Sequence, residues 1–201
     1  YAHHAYRGAA EVGDDAAFSV VPPGVNQTVF RATHSPGDAA VRGRIRDALA
    51  RDVPAARRAL PLVICASRLE RKKNHLGLVK AFANSGALRR RANLGIVVRG
   101  LDHPLAQRHR LRGDERAVLD EVVDLVEAEG LAGCVTSFPL ESQAELAAAY
   151  RAVAAGGGAF ALTAHHEPFG LPPLEAMACG VPVVVTRNGG PAESLVDAQS
   201  G

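Results

Sequence analysis

No apolar stretch of this 201-residue chain approaches the roughly 20 residues that a membrane-spanning helix needs, so no span is expected. Charge of one sign is also missing: 23 Lys and Arg stand against 21 Asp and Glu, a formal net charge of +2. Without an excess positive field nothing recruits phosphates along a duplex, and nucleic acid is not an expected partner. Cysteine is scarce. Cys65, Cys134 and Cys179 are odd in number, far apart and each beside apolar residues. They suit small buried hydrophobes of a reducing compartment better than bridges or metal ligands. The opening YAHHAYRGAAEVGDD carries charges and histidines where a signal peptide needs an apolar segment. A soluble, cytoplasmic chain is expected.

Three missing motifs narrow the chemistry. There is no lysine-bearing Walker loop. Gly156–Gly158 precedes a strand instead of opening a helix, so it is not the dinucleotide fingerprint. No Asp-x-Asp pair is present to hold a divalent metal on a nucleotide diphosphate. Neither a metal site nor a resident cofactor is expected.

What the chain has is core material. Hydrophobic residues make up 47% and charged residues 22%, which excludes a disordered tail and leaves ample apolar surface to bury. Short apolar runs at Phe18–Pro22, Leu62–Ala66, Leu94–Val98, Val135–Phe138, Ala159–Leu162 and Val181–Val185 lack polar alternation, as strands covered on both faces do. Between them lie helical patterns: one after Asn74 headed by Leu76, Val79 and Ala83, and others over Asp114–Glu129, Gln143–Val153 and Pro172–Ala178. Gly130 and Gly180 read as helix stops. Single helices between strands predict an α/β, doubly wound, Rossmann-like parallel sheet. Before the first of these units, a helix over roughly Asp38–Arg51 lies in an Arg- and Ala-rich region. The triplet Arg89–Arg91 ends a helix and reads as a solvated terminus favoured by the macrodipole.

In such a sheet, ligands collect beyond the carboxyl ends of the strands. After Leu62–Ala66 comes SRLERKKN, with Arg68 and Lys73 five positions apart. A forked guanidinium and a mobile ammonium suit a diphosphate, and a solvated basic turn is the equal alternative. For Arg71 and Lys72 the solvated turn is preferred. After Ala159–Leu162 comes TAHHEPFGLPPLEAMACG. Pro172 and Pro173 fit a first helical turn, whose free N–H groups would face the ligand, and Gly170 permits close approach. Glu167 either caps that helix or meets a ligand. Glu175, among Leu174, Ala176, Met177 and Ala178, faces inward or toward a ligand. His165 and His166 read as polar loop or substrate contacts rather than metal ligands. Asn188–Pro191 is either a plain strand-to-helix turn or another anion-receptive terminus.

These residues carry a resemblance. Arg68-x4-Lys73 followed by HHEPFGLPPLEAMACGVPVVVTRNGGP resembles the donor-binding, C-terminal half of retaining glycosyltransferase family 4, of GT-B architecture. Glu167 and Glu175 match its Glu-x7-Glu motif. VVPPGVNQTVF, ASRLERKKNHLGLVKAFA and RRRANLGIVVRG are most similar to the sucrose-phosphate synthase branch, and the likeness extends from Val20 to Leu195. The resemblance implies a bound nucleotide sugar, UDP-glucose first. Arg68 and Lys73 would take the diphosphate. Glu167 and the backbone N–H groups of Phe169, Gly170 and Leu171 would take the donor sugar. Glu175 would take the ribose, and the loop after Val135–Phe138 would lie beside the base.

Acceptor recognition and a catalytic histidine belong to the family's amino-terminal half, so His3, His4, His165 and His166 are not assigned that role. The expected division is 1–58 as a segment joining that half and 59–201 as the donor domain, lacking the last strand and closing helices. A fragment of a longer chain is expected. The implied reaction passes a hexosyl group to a sugar phosphate such as fructose 6-phosphate, with retention. Other hexosyl or mannosyl transfer, a nucleotide-sugar-binding module without transfer, and a sugar-nucleotide epimerase remain open alternatives.

Overall fold

The computed structural model describes residues 23–195. The run Phe18–Pro22, His3 and His4 lie outside the described residues. Five strands are present in them: β1 (Leu62–Ala66), β2 (Asn93–Val97), β3 (Val135–Phe138), β4 (Ala159–Leu162) and β5 (Val183–Val185). Every strand pair is parallel and the order is β3-β2-β1-β4-β5. The helices are α1 (Asp38–Asp52), α2 (His75–Asn84), α3 (Gly86–Arg91), α4 (Gly113–Ala128), α5 (Gln143–Ala155), α6 (Leu171–Ala178) and the single turn α7 (Pro191–Ser194). The doubly wound α/β expectation holds.

Both sheet faces are covered, which is why the strands read as unbroken apolar runs. Leu62, Ile64, Phe138, Phe160 and Leu162 point to one face, against Val41, Ile45 and Leu49 of α1 and Ala147, Tyr150 and Val153 of α5. Cys65, Leu94, Ile96, Val135 and Ala161 point to the other, against Val79 and Phe82 of α2 and Leu119 and Val122 of α4. Tyr150 meets Phe160 edge-on at 5.4 Å. Such a contact adds about 0.5–1.5 kcal/mol beyond the area it buries.

Residues of the segment expected to join an upstream half are folded onto this sheet. Asp38 of α1 is clasped by Arg151 of α5, with Nε to Oδ2 at 2.8 Å and Nη2 to Oδ1 at 2.6 Å. A second fork, Arg44 to Glu145 at 2.9 and 3.0 Å, ties the same two helices nearer the rim. Phe30 and Val53 join the core beside them.

Boundaries differ from expectation where a residue lacks a donor or gains one. The last strand starts at Val183 and not Val181, because Pro182 has no N–H for a ladder and contributes only its carbonyl, which accepts from Phe160 at 2.9 Å. β2 starts one residue early, at Asn93, whose amide exchanges hydrogen bonds with Arg57 at 2.9 and 3.2 Å. Gly130 and Gly180 follow their helices with φ of 60° and 83°, as helix stops do. Cys65 and Cys179 are buried thiols, whereas Cys134 is only half-buried.

Candidate active site

The winding reverses between β1 and β4: successive strands step outward to β2 and β3 on one side and to β5 on the other. Loops leaving β1 and β4 therefore lead to helices on opposite faces of the sheet, the switch point at which ligands bind in open α/β sheets. These are the two loops whose sequences stood out.

Polar contacts lash them together. Asn74, the N-cap of α2, takes a left-handed conformation (φ 54°, ψ 46°) and accepts from the Gly77 N–H through Oδ1. A Cβ at Gly77 would lie 2.4 Å from the Asn74 amide, so glycine leaves room for this cap. The Asn74 Nδ2 donates to the Thr163 carbonyl at 3.0 Å, and the Thr163 hydroxyl donates to the Asn74 carbonyl at 2.9 Å. The His165 N–H donates to the Lys72 carbonyl at 2.9 Å. Asn74 and Thr163 were not singled out from the sequence. An Asn ahead of a helix is a capping signal that could have found the first; nothing local marks the second.

At the centre, Lys73 Nζ donates to Glu167 Oε2 at 2.7 Å, with side chains only 13% and 10% exposed. The capping alternative for Glu167 falls: the N-cap of α6 is Gly170 (φ 76°), with no side chain bonding there, and the Glu167 carboxylate turns to Lys73. The Glu167 backbone is held by the loop after β5, its N–H donating to Asn188 O at 3.1 Å and its carbonyl accepting from Gly190 N–H at 2.8 Å. A Cβ at Gly189 would approach the Glu167 carbonyl to 2.2 Å, so the Gly-Gly pair serves close backbone passage. With α7 reduced to one turn, Asn188–Pro191 is a clamp on Glu167 rather than an anion-receptive helix terminus.

The structure brings Lys73 and Glu167 together but not the expected Arg68–Lys73 pair. Arg68 projects into solvent, 74% exposed, and pairs with Glu70 at 2.9 Å. Arg71 pairs with Glu121 and Lys72 with Glu70, both exposed, as a solvated basic turn predicts. Phe169 is exposed, and among the described residues no backbone carbonyl accepts from the N–H groups of Phe169, Gly170 or Leu171. Glu175 is half-buried on α6 with no hydrogen bond or ion pair among the described residues, and burial raises its carboxyl above the ordinary value. Tyr150, whose buried hydroxyl has no partner among the described residues, has its phenol pushed up by burial and then by Glu175. His165 and His166 are exposed on the loop, and among the described residues no cluster of three His, Cys, Asp or Glu could hold a metal.

Beside this switch point, a cleft of about 480 Å³ runs over the ends of β1, β2 and β3, between Ser67, Arg68, Val98, Arg99, Glu141 and Leu146. Its lining includes the loop after Val135–Phe138.

Comparison with known proteins gives a consistent result. The family model of glycosyl transferases group 1 matches residues 49–201. Sucrose synthase 1 of Hordeum vulgare is 32% identical over 198 residues, 93% of this chain and 24% of that protein. A probable sucrose-phosphate synthase of Thermosipho melanesiensis is 34% identical over 201 residues, 100% of this chain and 39% of that protein. The solved sucrose-phosphate synthase from Thermosynechococcus elongatus has a TM-score of 0.62 at 27% identity, covering 88% of this chain and 36% of that one. The chain spans less than half the length of each of these relatives.

Proposed function

The chain belongs to the glycosyl transferases of group 1, and on that premise we propose that it is the donor-binding half of a retaining hexosyltransferase. The donor is a nucleotide sugar, UDP-glucose. The acceptor is a sugar phosphate such as fructose 6-phosphate, held by an upstream half. The observation that carries this reading is the Lys73–Glu167 pair at the reversal of the sheet, with the half-buried Glu175, unpartnered among the described residues, on the helix that follows.

The chemistry follows from what each group has left to give. Lys73 uses one of three ammonium hydrogens on Glu167 and can offer the others to a diphosphate. Arg68, on its flexible stem, swings from Glu70 to the same anion. As the bond from the anomeric carbon breaks, its electron pair moves onto the diphosphate oxygen and the sugar becomes cationic. Positive groups gathered at the diphosphate, with free N–H groups at the start of α6, then lower the barrier. Glu167 faces the growing positive charge. The poorly solvated Glu175 carboxylate gains hydrogen bonds from ribose hydroxyls, and the base lies in the neighbouring cleft.

The cations supply the neutralisation, so no metal is assigned and activity survives a chelator. The free thiols fit a cytoplasmic protein. Among the described residues no helix is long and apolar enough to cross a membrane.

The test is calorimetric titration of UDP, UDP-glucose and GDP-mannose, with turnover by the full-length protein on fructose 6-phosphate. Preferential UDP-glucose binding and sucrose 6-phosphate formation are expected. Preference for GDP-mannose would move the reading to mannosyl transfer. Binding without turnover on any acceptor would leave a nucleotide-sugar-binding module, and no nucleotide binding would overturn the proposal.

A further inference from the structure

His75, the first residue of α2, is 2% exposed although histidine is polar. Its Nε2 lies 3.2 Å from the Ser67 hydroxyl, while Nδ1 is buried with no partner among the described residues. Burial, helped by the Lys73 charge and opposed by the Ser67 backbone, lowers the imidazole to a pKa of about 4. A neutral ring carries one N–H. With the proton on Nδ1, a buried donor would be stranded. With it on Nε2, the donor meets Ser67 and only a lone pair goes unused, the less costly arrangement.

Ser67 Oγ then accepts from His75, and its own O–H is released. Its other neighbour is the Cys65 sulfur at 3.8 Å, a weak acceptor. That thiol keeps its proton, because burial pushes it up to about 11. Ser67 lines the cleft next to Arg68, and Lys73 is close enough for its charge to act on both His75 and Cys65. A hydroxyl free to donate, next to Arg68 in the cleft and with the Lys73 charge acting on its neighbours His75 and Cys65, suits an anionic oxygen.

We infer that Ser67 donates a hydrogen bond to a phosphate oxygen of the bound ligand, and that His75 is the positioning residue that turns its hydroxyl outward as a donor. This rests on the diphosphate-binding reading above and adds two residues to it. His75 touches no ligand and acts only through Ser67.

Titration of UDP, inorganic pyrophosphate and uridine into this chain tests it. Ser67→Ala should weaken UDP and pyrophosphate about tenfold, the scale of a hydrogen bond to a charged group, and leave uridine unchanged. His75→Leu should reproduce that pattern, and His75→Gln, whose amide can still donate to Ser67, should restore most of it. The double variant Ser67→Ala with His75→Leu should bind no more weakly than Ser67→Ala alone. Wild-type UDP affinity in Ser67→Ala would overturn the inference while the donor reading stands. So would a His75→Leu that weakens uridine and UDP by one factor as its melting temperature drops, since that is a packing role. Ser67-dependent pyrophosphate binding without nucleotide binding would uphold the inference and overturn the nucleotide reading. If the wild type binds none of the three probes, both fall.

Discussion

Two ion pairs in this molecule are nearly alike in length and differ in what they leave unused. Asp38 and Arg151 are 3% and 4% exposed. The Asp38 carboxylate receives both Arg151 bonds, the Ser35 N–H at 3.2 Å and the His34 ring at 3.1 Å, and Arg151 also donates to the Arg31 carbonyl. Lys73 and Glu167, 13% and 10% exposed, share one hydrogen bond. A pair with its valences filled can only hold elements together, here α1 to α5. A pair with donors and lone pairs in hand can exchange its partner for a ligand. Saturation, more than burial, separates scaffold from site.

The largest effect should come from breaking the filled pair. Arg151→Met leaves Asp38 buried without its cation and should cost about 3–5 kcal/mol in denaturant unfolding. Replacing Asp38 by Leu in the same protein should recover much of that loss. The open pair should behave in reverse. Lys73→Ala should lower kcat/KM of the full-length enzyme by about 2–4 kcal/mol of transition-state stabilisation. Its cost in unfolding should be smaller than that of Arg151→Met. Equal stability losses in the two variants would erase the distinction.

Acid sharpens the comparison through two groups whose pKa values are lowered on folding. Arg151, above all, holds the Asp38 carboxyl well below its ordinary value, so that contribution is complete above about 3.8 and is lost as the pH falls further. Buried His75 moves from 6.5 to about 4. Between those values the unfolded chain binds the extra proton, so stability is full above 6.5 and drains away as pH falls toward 4. His75→Gln should flatten that interval by about 2–4 kcal/mol, measured as unfolding free energy against pH. An unchanged slope would mean that the imidazole is not held neutral.

The smallest effects separate the two glutamates. Glu167→Gln should lower kcat with little change in UDP affinity, because its charge counts as the sugar becomes cationic. Glu175→Gln should raise KM more than it lowers kcat, having removed binding common to ground and transition states. It should also melt slightly higher at neutral pH. The raised Glu175 carboxyl means that ionising it in the fold costs stability as pH rises, and the amide avoids that cost.

Much of the scaffold was legible in the residues. The runs Leu62–Ala66, Val135–Phe138 and Ala159–Leu162 are strands to the residue, because a strand buried on both faces tolerates few polar side chains and turn residues bound it. Helix boundaries followed from equally local signals, such as Gly130 and Gly180. The missed boundary at Pro182 was local as well, since a residue without an N–H could not have opened the ladder. The sequence also set Arg68, Lys73, Glu167 and Glu175 on loops and a helix at one sheet edge, and the likeness to glycosyltransferases rested on them.

Pairing among those residues was not legible. Lys73 and Glu167 are 94 positions apart, and Asn74 and Thr163 are 89 apart. Whether Glu167 capped its helix or met a cation depended on β4 lying next to β1 rather than beyond β3. The partnership of Ser67 and His75 depended on how closely α2 packs beneath its own loop. By itself the sequence determined the alternation of strands and helices, their covered faces and the types of charge at the ligand edge, because periodicity and turn chemistry act over a few residues. The tertiary structure alone decided which charges meet and which keep unused bonds, because a hydrogen bond works over about 3 Å and only the order of strands brings distant loops that close.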